Sequence, residues 1–262
     1  MKPLHALTRE HVAPLAGVVF DLDDTVLDHG RLSEGAYSAL FRMKEAGLRL
    51  VGATGRPFGW VTLLARQWPV DAMIAENGAA AIVRAATDEL VPVIESAGPR
   101  ADLMRMADEL VRRFPAARIT DDNAARVADV TIDIGETRRV PPAEVSEMMA
   151  IARAAGLFTV ASSVHLHLSH EAPDKAAGAV RVLASAFGED STGARRRYAF
   201  IGDSGNDATA FAGFTLTFGV ANVRASAGLL TVMPRFVSPS VMGGGFVEIV
   251  AKLVGLRQNA AR

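Results

Sequence analysis

Three acids follow a short apolar run near the start of the chain. Residues 17–20 have the length and β-branching of a strand buried on both faces, and Asp21, Asp23 and Asp24 come directly after it. The carboxyl ends of buried parallel strands are where an open α/β sheet binds its ligands. If the strand breaks into a loop after Asp21, Asp21 and Asp23 can converge on one metal and one phosphate. This stretch alone leaves open a plain strand followed by an acidic turn.

Polar side chains follow later apolar runs in the same way. Residues 54–56, Thr-Gly-Arg, end a second predicted strand, Asp203 and Asp207 follow a later one, and Lys175 begins a helix. Carboxylates with a hydroxyl and an ammonium group suit a phosphate monoester and Mg²⁺, which prefers oxygen ligands. Phosphoryl transfer asks a protein mainly for in-line positioning and for neutralisation of the phosphoryl oxygens. A turn that caps the next helix is the alternative for each loop, and Arg56 can equally be a solvated charge.

Together these stretches resemble the four sequence motifs of the haloacid dehalogenase (HAD) superfamily. The matching residues are Asp-Leu-Asp-Asp-Thr at 21–25, Thr54-Gly55-Arg56, Lys175, and Gly202-Asp203-Ser204-Gly205-Asn206-Asp207. Glu76-Asn77-Gly78-Ala79 and the segment that follows it resemble the Cof-type, sugar-phosphatase-like branch, which includes sucrose-phosphate and mannosyl-phosphoglycerate phosphatases. The resemblance extends from Val18 to the last helix, with two departures. Asp24 stands where glycine is commonest, and Ala176 stands where a glycine usually follows the lysine.

The resemblance implies a role for each matching residue. Asp21 would be the nucleophile that forms an aspartyl-phosphate, and Asp23 would protonate the leaving alcohol and then activate water. A carboxylate nucleophile divides a very slow hydrolysis into two in-line displacements. The residues implied in binding the phosphoryl group or the substrate are Thr54, Gly55, Arg56, Lys175 and Asn206. The residues implied in holding Mg²⁺ are Asp21, Asp23 through its carbonyl, Asp203 and Asp207.

The order of predicted elements describes an α/β core that a smaller unit interrupts. Strands and helices alternate over residues 1–81 and 169–262, which predicts a Rossmann-like parallel-sheet HAD core that is discontinuous in sequence. Residues 82–168 instead predict a hairpin, two helices and further strands. We therefore expect an inserted α/β cap domain there, hinged near Gly78 and near Pro173.

Two further stretches carry imidazole or charge outside the motifs. His165 and His167 alternate with aliphatic residues, so they share one face of a strand, and we expect this face to be exposed to solvent. A zinc site is an alternative at this spacing, although the neighbouring sequence offers no third ligand. Residues 190–197, which include three consecutive arginines, are predicted to form a solvated loop.

Composition limits the class of protein. The chain has 262 residues, of which 50% are hydrophobic and 22% charged, and its formal net charge is −1, which indicates a globular protein without general attraction to nucleic acid. The absence of cysteine excludes disulfides and thiolate chemistry. The first residues lack the apolar core of a signal peptide, and no apolar run reaches the ~20 residues of a membrane span. We therefore expect a cytoplasmic protein with no membrane partner.

The resemblance makes a Mg²⁺-dependent phosphatase the expected function. Such a phosphoric monoester hydrolase would act on a small phosphorylated metabolite, in particular a sugar phosphate or glycosyl phosphate. One alternative is a phosphomutase of the phosphomannomutase type, in which the aspartyl-phosphate passes to a sugar hydroxyl instead of water. Another is a phosphometabolite-binding protein without turnover, which the presence of both Asp21 and Asp23 disfavours.

Overall fold

A computed structural model describes residues 1–94, 98–161 and 164–258 of the chain. Its strands are β1 (Lys2–Pro3), β2 (Gly17–Phe20), β3 (Leu27–Asp28), β4 (Arg31–Leu32), β5 (Arg49–Ala53), β6 (Ala72–Ala75), β7 (Ala80–Arg84), β8 (Leu90–Ile94), β9 (Arg118–Ile119), β10 (Val130–Asp133), β11 (Phe158–Ala161), β12 (His165–Ser169), β13 (Tyr198–Gly202), β14 (Leu216–Gly219) and β15 (Phe236–Val237). Its α-helices are α1 (Arg9–Val12), α2 (Glu34–Glu45), α3 (Phe58–Gln67), α4 (Arg100–Arg113), α5 (Pro142–Ala154), α6 (Lys175–Phe187), α7 (Ser191–Arg197), α8 (Ala208–Gly213) and α9 (Met242–Gln258). Within these described residues, no helix combines the length and the apolar character needed to cross a bilayer.

The first predicted strand, β2, lies inside a nine-stranded sheet with the order β1-β15-β14-β13-β2-β5-β6-β7-β8. It pairs in parallel with β13 on one side and with β5 on the other, and all four of its residues are buried. Val18 and Phe20 face a hydrophobic core shared with α2 and α9, whereas Val19 faces another shared with α6 and α8. Helices therefore cover both faces, as a continuous apolar strand requires. The predicted α/β fold with a parallel-dominated core sheet is confirmed.

A second, four-stranded sheet with the order β11-β12-β10-β9 is antiparallel throughout. The helices α4 and α5 cover one of its faces, where Leu166 and Leu168 are buried. His165 and His167 alternate with these leucines along β12 and so lie on the opposite face. The second unit is thus two helices on one side of a small antiparallel sheet, with a polar face left on the other.

The hairpin at the start of the predicted insert is part of the large sheet. β7 pairs antiparallel with β6, with Ala72 opposite Val83, and β8 pairs with β7. The expected boundary at residue 82 would therefore cut through β7. We propose instead that the cap comprises residues 98–169, since the four-stranded sheet and its helices begin at Arg100 and end at Ser169. A hairpin has the same sequence pattern whether or not its outer strands join another sheet, so the pattern alone cannot place it.

Gly78, expected to act as a hinge, is fixed within the core. Its φ is +111°, and a Cβ there would overlap the carbonyl oxygen of Asp174. Arg181 of α6 also donates a hydrogen bond to the Gly78 carbonyl at 2.9 Å. The chain passes between the two sheets after β8 and again after β12, so Gly78, between β6 and β7, lies on neither connection. The hinge near Pro173 stays a prediction.

Residues 191–197 form helix α7 instead of the predicted solvated loop. The Asp190 carboxylate accepts a hydrogen bond from the N–H of Gly193 at 2.7 Å and caps the helix, and Ala194 is buried. Arg195 donates to a backbone carbonyl at 3.1 Å, and Arg197 donates to Glu189 at 3.0 Å. The run of arginines suggested a solvated loop. In the structure, two of the three arginines instead donate hydrogen bonds to other parts of the protein.

Candidate active site

The chain turns sharply where β2 ends. The carbonyl oxygen of Leu22 accepts hydrogen bonds from the N–H groups of residues 25, 26 and 27. Asp24 has a φ of +54°, in the left-handed region that favours glycine, and its carboxylate accepts from the N–H of His29 at 3.2 Å. β2 ends at Phe20, so Asp21 and Asp23 both lie beyond the strand. The acid in the usual glycine position is accommodated because its side chain, 44% exposed, turns outward.

Lys175 lies between two carboxylates in the interior. Its ammonium donates to Oδ1 of Asp21 at 2.6 Å and to Oδ1 of Asp207 at 2.8 Å, and its side chain is 1% exposed. The carboxylate of Asp174 caps α6 directly before this lysine by accepting from the N–H of Ala177. Burial lowers the pKa of Lys175, but Asp207 and Asp21 outweigh that effect and leave the pKa above its ordinary value. Lys175 is therefore a permanent cation that fixes the orientation of Asp21.

Asp203 and Asp207 follow β13 and differ in the partners of their carboxylates. Oδ2 of Asp207 accepts from the backbone N–H groups of Asp203 at 2.9 Å and Ser204 at 3.2 Å, while its Oδ1 binds the lysine. Asp203 accepts from the Thr25 hydroxyl at 3.1 Å and from the Asn222 amide at 2.8 Å. We had not predicted Thr25 and Asn222 as site residues. Thr25 lies in the first motif, so its hydroxyl could have been predicted as a site group from the sequence. Asn222 lies in no motif, and its sequence position gives no such indication.

Asp21, Asp203 and Asp207 form a buried group in which one carboxylate oxygen from each residue lies within 4.8 Å of the others. Burial, together with neighbouring carboxylates, raises the pKa of Asp21 well above its ordinary value despite Lys175. Burial and Asp207 raise the pKa of Asp203 to about 7. Three acids around one ammonium leave an excess of negative charge that a divalent cation would neutralise. Mg²⁺ prefers such oxygen donors, so the residues fit the metal that the motifs imply.

The candidate phosphate-binding residues line the neighbouring loops. Thr54 is fully buried at the end of β5, and its hydroxyl accepts from the backbone N–H two residues on at 3.1 Å. A Cβ on Gly55 would lie 3.2 Å from the amide of Asn77, so this position needs a small residue. Oδ1 of Asn206 accepts from the Ser204 hydroxyl at 2.5 Å. In the described part of the chain, Asn206 makes no hydrogen bond to the motif lysine.

Arg56 contacts the predicted general acid directly. Its guanidinium donates three hydrogen bonds to the carboxylate of Asp23, at 2.7, 2.9 and 3.1 Å, and lies 4.7 Å from the ring centroid of Trp60. Burial lowers the pKa of Arg56, but Asp23 and, from the cap, Glu136 and Asp122 raise it further. No sequence pattern predicted this ion pair. The Arg56 guanidinium therefore contacts the predicted general acid and is not a solvated charge.

The two cap histidines are buried, so the prediction of an exposed histidine face is wrong. His167 and His165 are 6% and 8% exposed. Nδ1 of His167 lies 2.8 Å from Asp129, and Nε2 of His165 lies 2.8 Å from Glu136. Because Glu136 also acts on the pKa of Arg56, this polar face of the cap sheet lies within electrostatic reach of the site. Alternation along β12 placed the histidines on one face but could not indicate what covers it.

A family model described as haloacid dehalogenase-like hydrolase matches residues 18–110. Several solved structures share the fold over nearly their whole length. A protein from Thermoplasma acidophilum is 20% identical, with a TM-score of 0.75 over 92% of this chain and 99% of that one. A protein from Bacteroides thetaiotaomicron, described among phosphatases of the HAD superfamily, is 19% identical, with a TM-score of 0.65 over 93% of this chain and 97% of that one. A HAD subclass IIB sugar phosphatase is 17% identical, with a TM-score of 0.65 over 92% of this chain and 99% of that one. No curated protein matches this chain significantly.

Proposed function

We propose that this chain, whose resemblance to the haloacid dehalogenase superfamily is confirmed by the family match and the shared fold, is a Mg²⁺-dependent phosphatase of small phosphorylated metabolites. The observation that carries the proposal is the position of Lys175. Its ammonium joins Asp21 to Asp207 inside a buried group of acids. Lys175 opposes the rise that burial causes in the pKa of Asp21, and a divalent cation would oppose it further, which suits a carboxylate nucleophile that must be ionised beside a phosphoryl group.

The proposed reaction has two displacements at phosphorus. In the first, an oxygen of Asp21 bonds to phosphorus while the ester O–P bond breaks, and Asp23 gives its proton to the departing alkoxide. In the second, water attacks phosphorus, Asp23 takes a proton from that water, and the bond between phosphorus and Asp21 breaks. The first displacement leaves an aspartyl-phosphate, and the second releases inorganic phosphate and restores both carboxyl groups.

The remaining motif residues bind and neutralise the phosphoryl group. Mg²⁺ would reduce the repulsion between the nucleophile and the phosphoryl oxygens. The proposed metal-holding residues are Asp21, Asp203 and the carbonyl of Asp23, with support from Asp207. The proposed phosphoryl-binding residues are Thr54, Gly55, Lys175 and Asn206.

Arg56 sets a condition on proton transfer. Its guanidinium bonds both carboxylate oxygens of Asp23, so Asp23 reaches the leaving group when this pair opens. We infer that the substrate draws the guanidinium away, since an arginine fork binds phosphoryl oxygens and carboxylates with the same geometry. This exchange reconciles the substrate-binding role expected for Arg56 with its contact to the general acid.

A sugar phosphate is the substrate class that we favour. One structure similar to this chain is that of a sugar phosphatase. The polar face of the cap sheet, with buried His165 paired to the exposed carboxylate of Glu136, offers donors and acceptors suited to a hydroxyl-rich leaving group.

The test is phosphate release by the purified chain from a panel of sugar phosphates and an aryl phosphate. We expect turnover with Mg²⁺, its loss in EDTA, and none in Asp21→Asn. Full activity in EDTA, or no phosphate release from any member of the panel with Mg²⁺, would overturn the proposal. Isomerised sugar phosphate on addition of a bisphosphorylated sugar would identify a phosphomutase instead.

A further inference from the structure

A buried glutamate of the core binds the backbone of the cap. Glu76 follows β6 and is 2% exposed, and its carboxylate accepts four backbone hydrogen bonds. Oε1 accepts from the N–H of Phe58 at 3.0 Å and of Val127 at 2.9 Å. Oε2 accepts from the N–H of Ala128 at 2.7 Å and of Asp129 at 2.8 Å. Phe58 begins α3 directly after the Thr-Gly-Arg motif, whereas the other three donors belong to the cap.

The backbone around Glu76 also holds that motif. The N–H of Glu76 donates to the carbonyl of Arg56 at 3.1 Å, and the N–H of Asn77 donates to the carbonyl of Thr54 at 3.1 Å. Glu76 and Asn77 both have left-handed φ values, +50° and +55°, which non-glycine residues adopt at a cost. Strain of this kind persists where the surrounding contacts over-determine the backbone, and it often marks a functional constraint.

A buried arginine of the cap completes the junction. The Arg126 side chain is 1% exposed and donates to the carbonyl of Gly55 at 3.1 Å and to Asp129 at 2.9 Å. Arg126 also pairs with Asp122, while the second oxygen of Asp129 pairs with His167. The polar face of the cap sheet is thereby connected to the peptide that separates Thr54 from Arg56.

We propose that Glu76 is a positioning residue that makes cap docking and the ordering of the phosphate-binding loop, residues 54–56, a single event. Undocking of residues 126–129 would leave a buried carboxylate with one of its four backbone donors. The buried N–H groups of the cap segment would lose their acceptor at the same time, which is costly on both sides. The loop and the cap segment therefore form and break together. The catalytic part of this inference rests on the proposed phosphatase function.

Glu76→Gln tests the catalytic part. The substitution keeps the shape but turns an amide –NH₂ towards backbone donors, so at least one of them loses its acceptor. We expect kcat/KM to fall on the order of 10²-fold, because the phosphate-binding loop is displaced. The fall in kcat should be as large for a small aryl phosphate as for a sugar phosphate. If the aryl phosphate keeps its wild-type rate, Glu76 merely secures the cap and the proposal is wrong.

Glu189→Gln is the matched control. Glu189 is also buried, at 8% exposure, but it pairs with Arg49 and Arg197 at the amino ends of β5 and β13, away from the phosphate loop. The same substitution there removes a buried charge without touching the junction. We expect this variant to lose stability while keeping kcat and KM for both substrates.

Residue-resolved hydrogen exchange tests the coupling without reference to activity. In the wild type, the amides of Phe58 and residues 127–129 should share one opening free energy and one urea dependence. In Glu76→Gln these amides should lose protection together, while in Glu189→Gln they should keep it. Exchange of the cap amides while Phe58 stays protected would overturn the coupling. An inactive wild type with coupled exchange would instead contradict the phosphatase proposal and leave the junction standing.

Discussion

Asp21 and Asp23 have different surroundings, and their variants should therefore fail in different ways. Asp21 is buried against Lys175, whereas Asp23 is 37% exposed and held by Arg56. Asp21→Asn should abolish turnover and any trapped phosphoenzyme. Asp23→Asn keeps its backbone carbonyl and loses proton transfer, worth about 10²–10⁴-fold. The loss should be larger for sugar alcohols than for an aryl phosphate, whose leaving group departs with little protonation.

A rapid-quench experiment with an aryl phosphate separates these two roles. Asp23→Asn should give a burst of aryl alcohol, because the phosphoenzyme forms but water is no longer activated. Asp21→Asn should give none. A burst in Asp21→Asn and none in Asp23→Asn would require the two roles to be exchanged.

Lys175 should contribute to stability as well as to chemistry. Lys175→Met leaves Asp21 and Asp207 buried without their cation, and we expect the free energy of unfolding to fall by about 3–5 kcal/mol at pH 7. Lys44→Met removes a partly exposed partner of Asp71 and should cost at most about 1 kcal/mol. Urea unfolding in EDTA measures both. Equal losses would show that the buried lysine is no more than an ordinary surface partner.

The motif residues could be predicted from sequence, whereas their long-range partners could not. Asp21, Lys175 and Asp203 stand in recognisable patterns, and the structure brings them together. Asn222 and Arg126 each bind a motif loop from a distant part of the chain. The sequence around an asparagine or an arginine does not indicate which distant residue its side chain will bind. Only the folded contact identifies such residues.

At the scale of elements, the ends of β2 and β13 bring acids together, and this should make stability depend on pH. Asp203, with a pKa of about 7, and Asp21, with a pKa raised well above its ordinary value, bind more protons folded than unfolded above about pH 4. The free energy of unfolding therefore falls as pH rises from about 4 to 7. Asp122, whose pKa is lowered to about 2, acts in the opposite direction, but its contribution to stability is nearly complete by about pH 5.

Urea unfolding between pH 4.5 and 8, with EDTA or with Mg²⁺, measures this dependence. With EDTA we expect stability to fall as pH rises, and Asp203→Asn should flatten the slope. With Mg²⁺ the slope should flatten in the wild type, because the cation binds the ionised acids. Stability that rises through this window in EDTA would contradict the buried acid group.

Most element boundaries followed from capping and periodicity. Ser33, a residue type favoured at helix N-caps, precedes α2, and its side chain accepts from the N–H of Ala36. Helix α7 was predicted as a loop, and the predicted hairpin of β7 and β8 pairs with the large sheet. In both cases, contacts with distant elements determined the structure that the segment adopts. Glu189 with Arg197 and β6 with β7 are such contacts.

For the whole molecule, the pattern of alternating strands and helices sufficed to predict an α/β core with an insertion. It did not predict how the two units meet. The carboxylate of Glu76 is central to that junction. The Glu-Asn-Gly segment that contains it indicated a family resemblance, but it did not indicate which groups the carboxylate binds. Backbone N–H donors from residues 127–129 carry no sequence signal at all, because every residue except proline offers one.

The strand order also determines when the protein can fold during its synthesis. β2 leaves the ribosome among the first segments, yet its neighbour β13 is made about 180 residues later, and β15 follows near residue 236. At translation rates of about 5–20 residues per second, the apolar run from Val18 to Phe20 is synthesised roughly 10–40 s before the strands that complete its sheet. The cap, in contrast, is contiguous and complete by residue 169. A nascent chain should therefore carry a folded cap while the strand that ends at the nucleophile is still a binding site for chaperones.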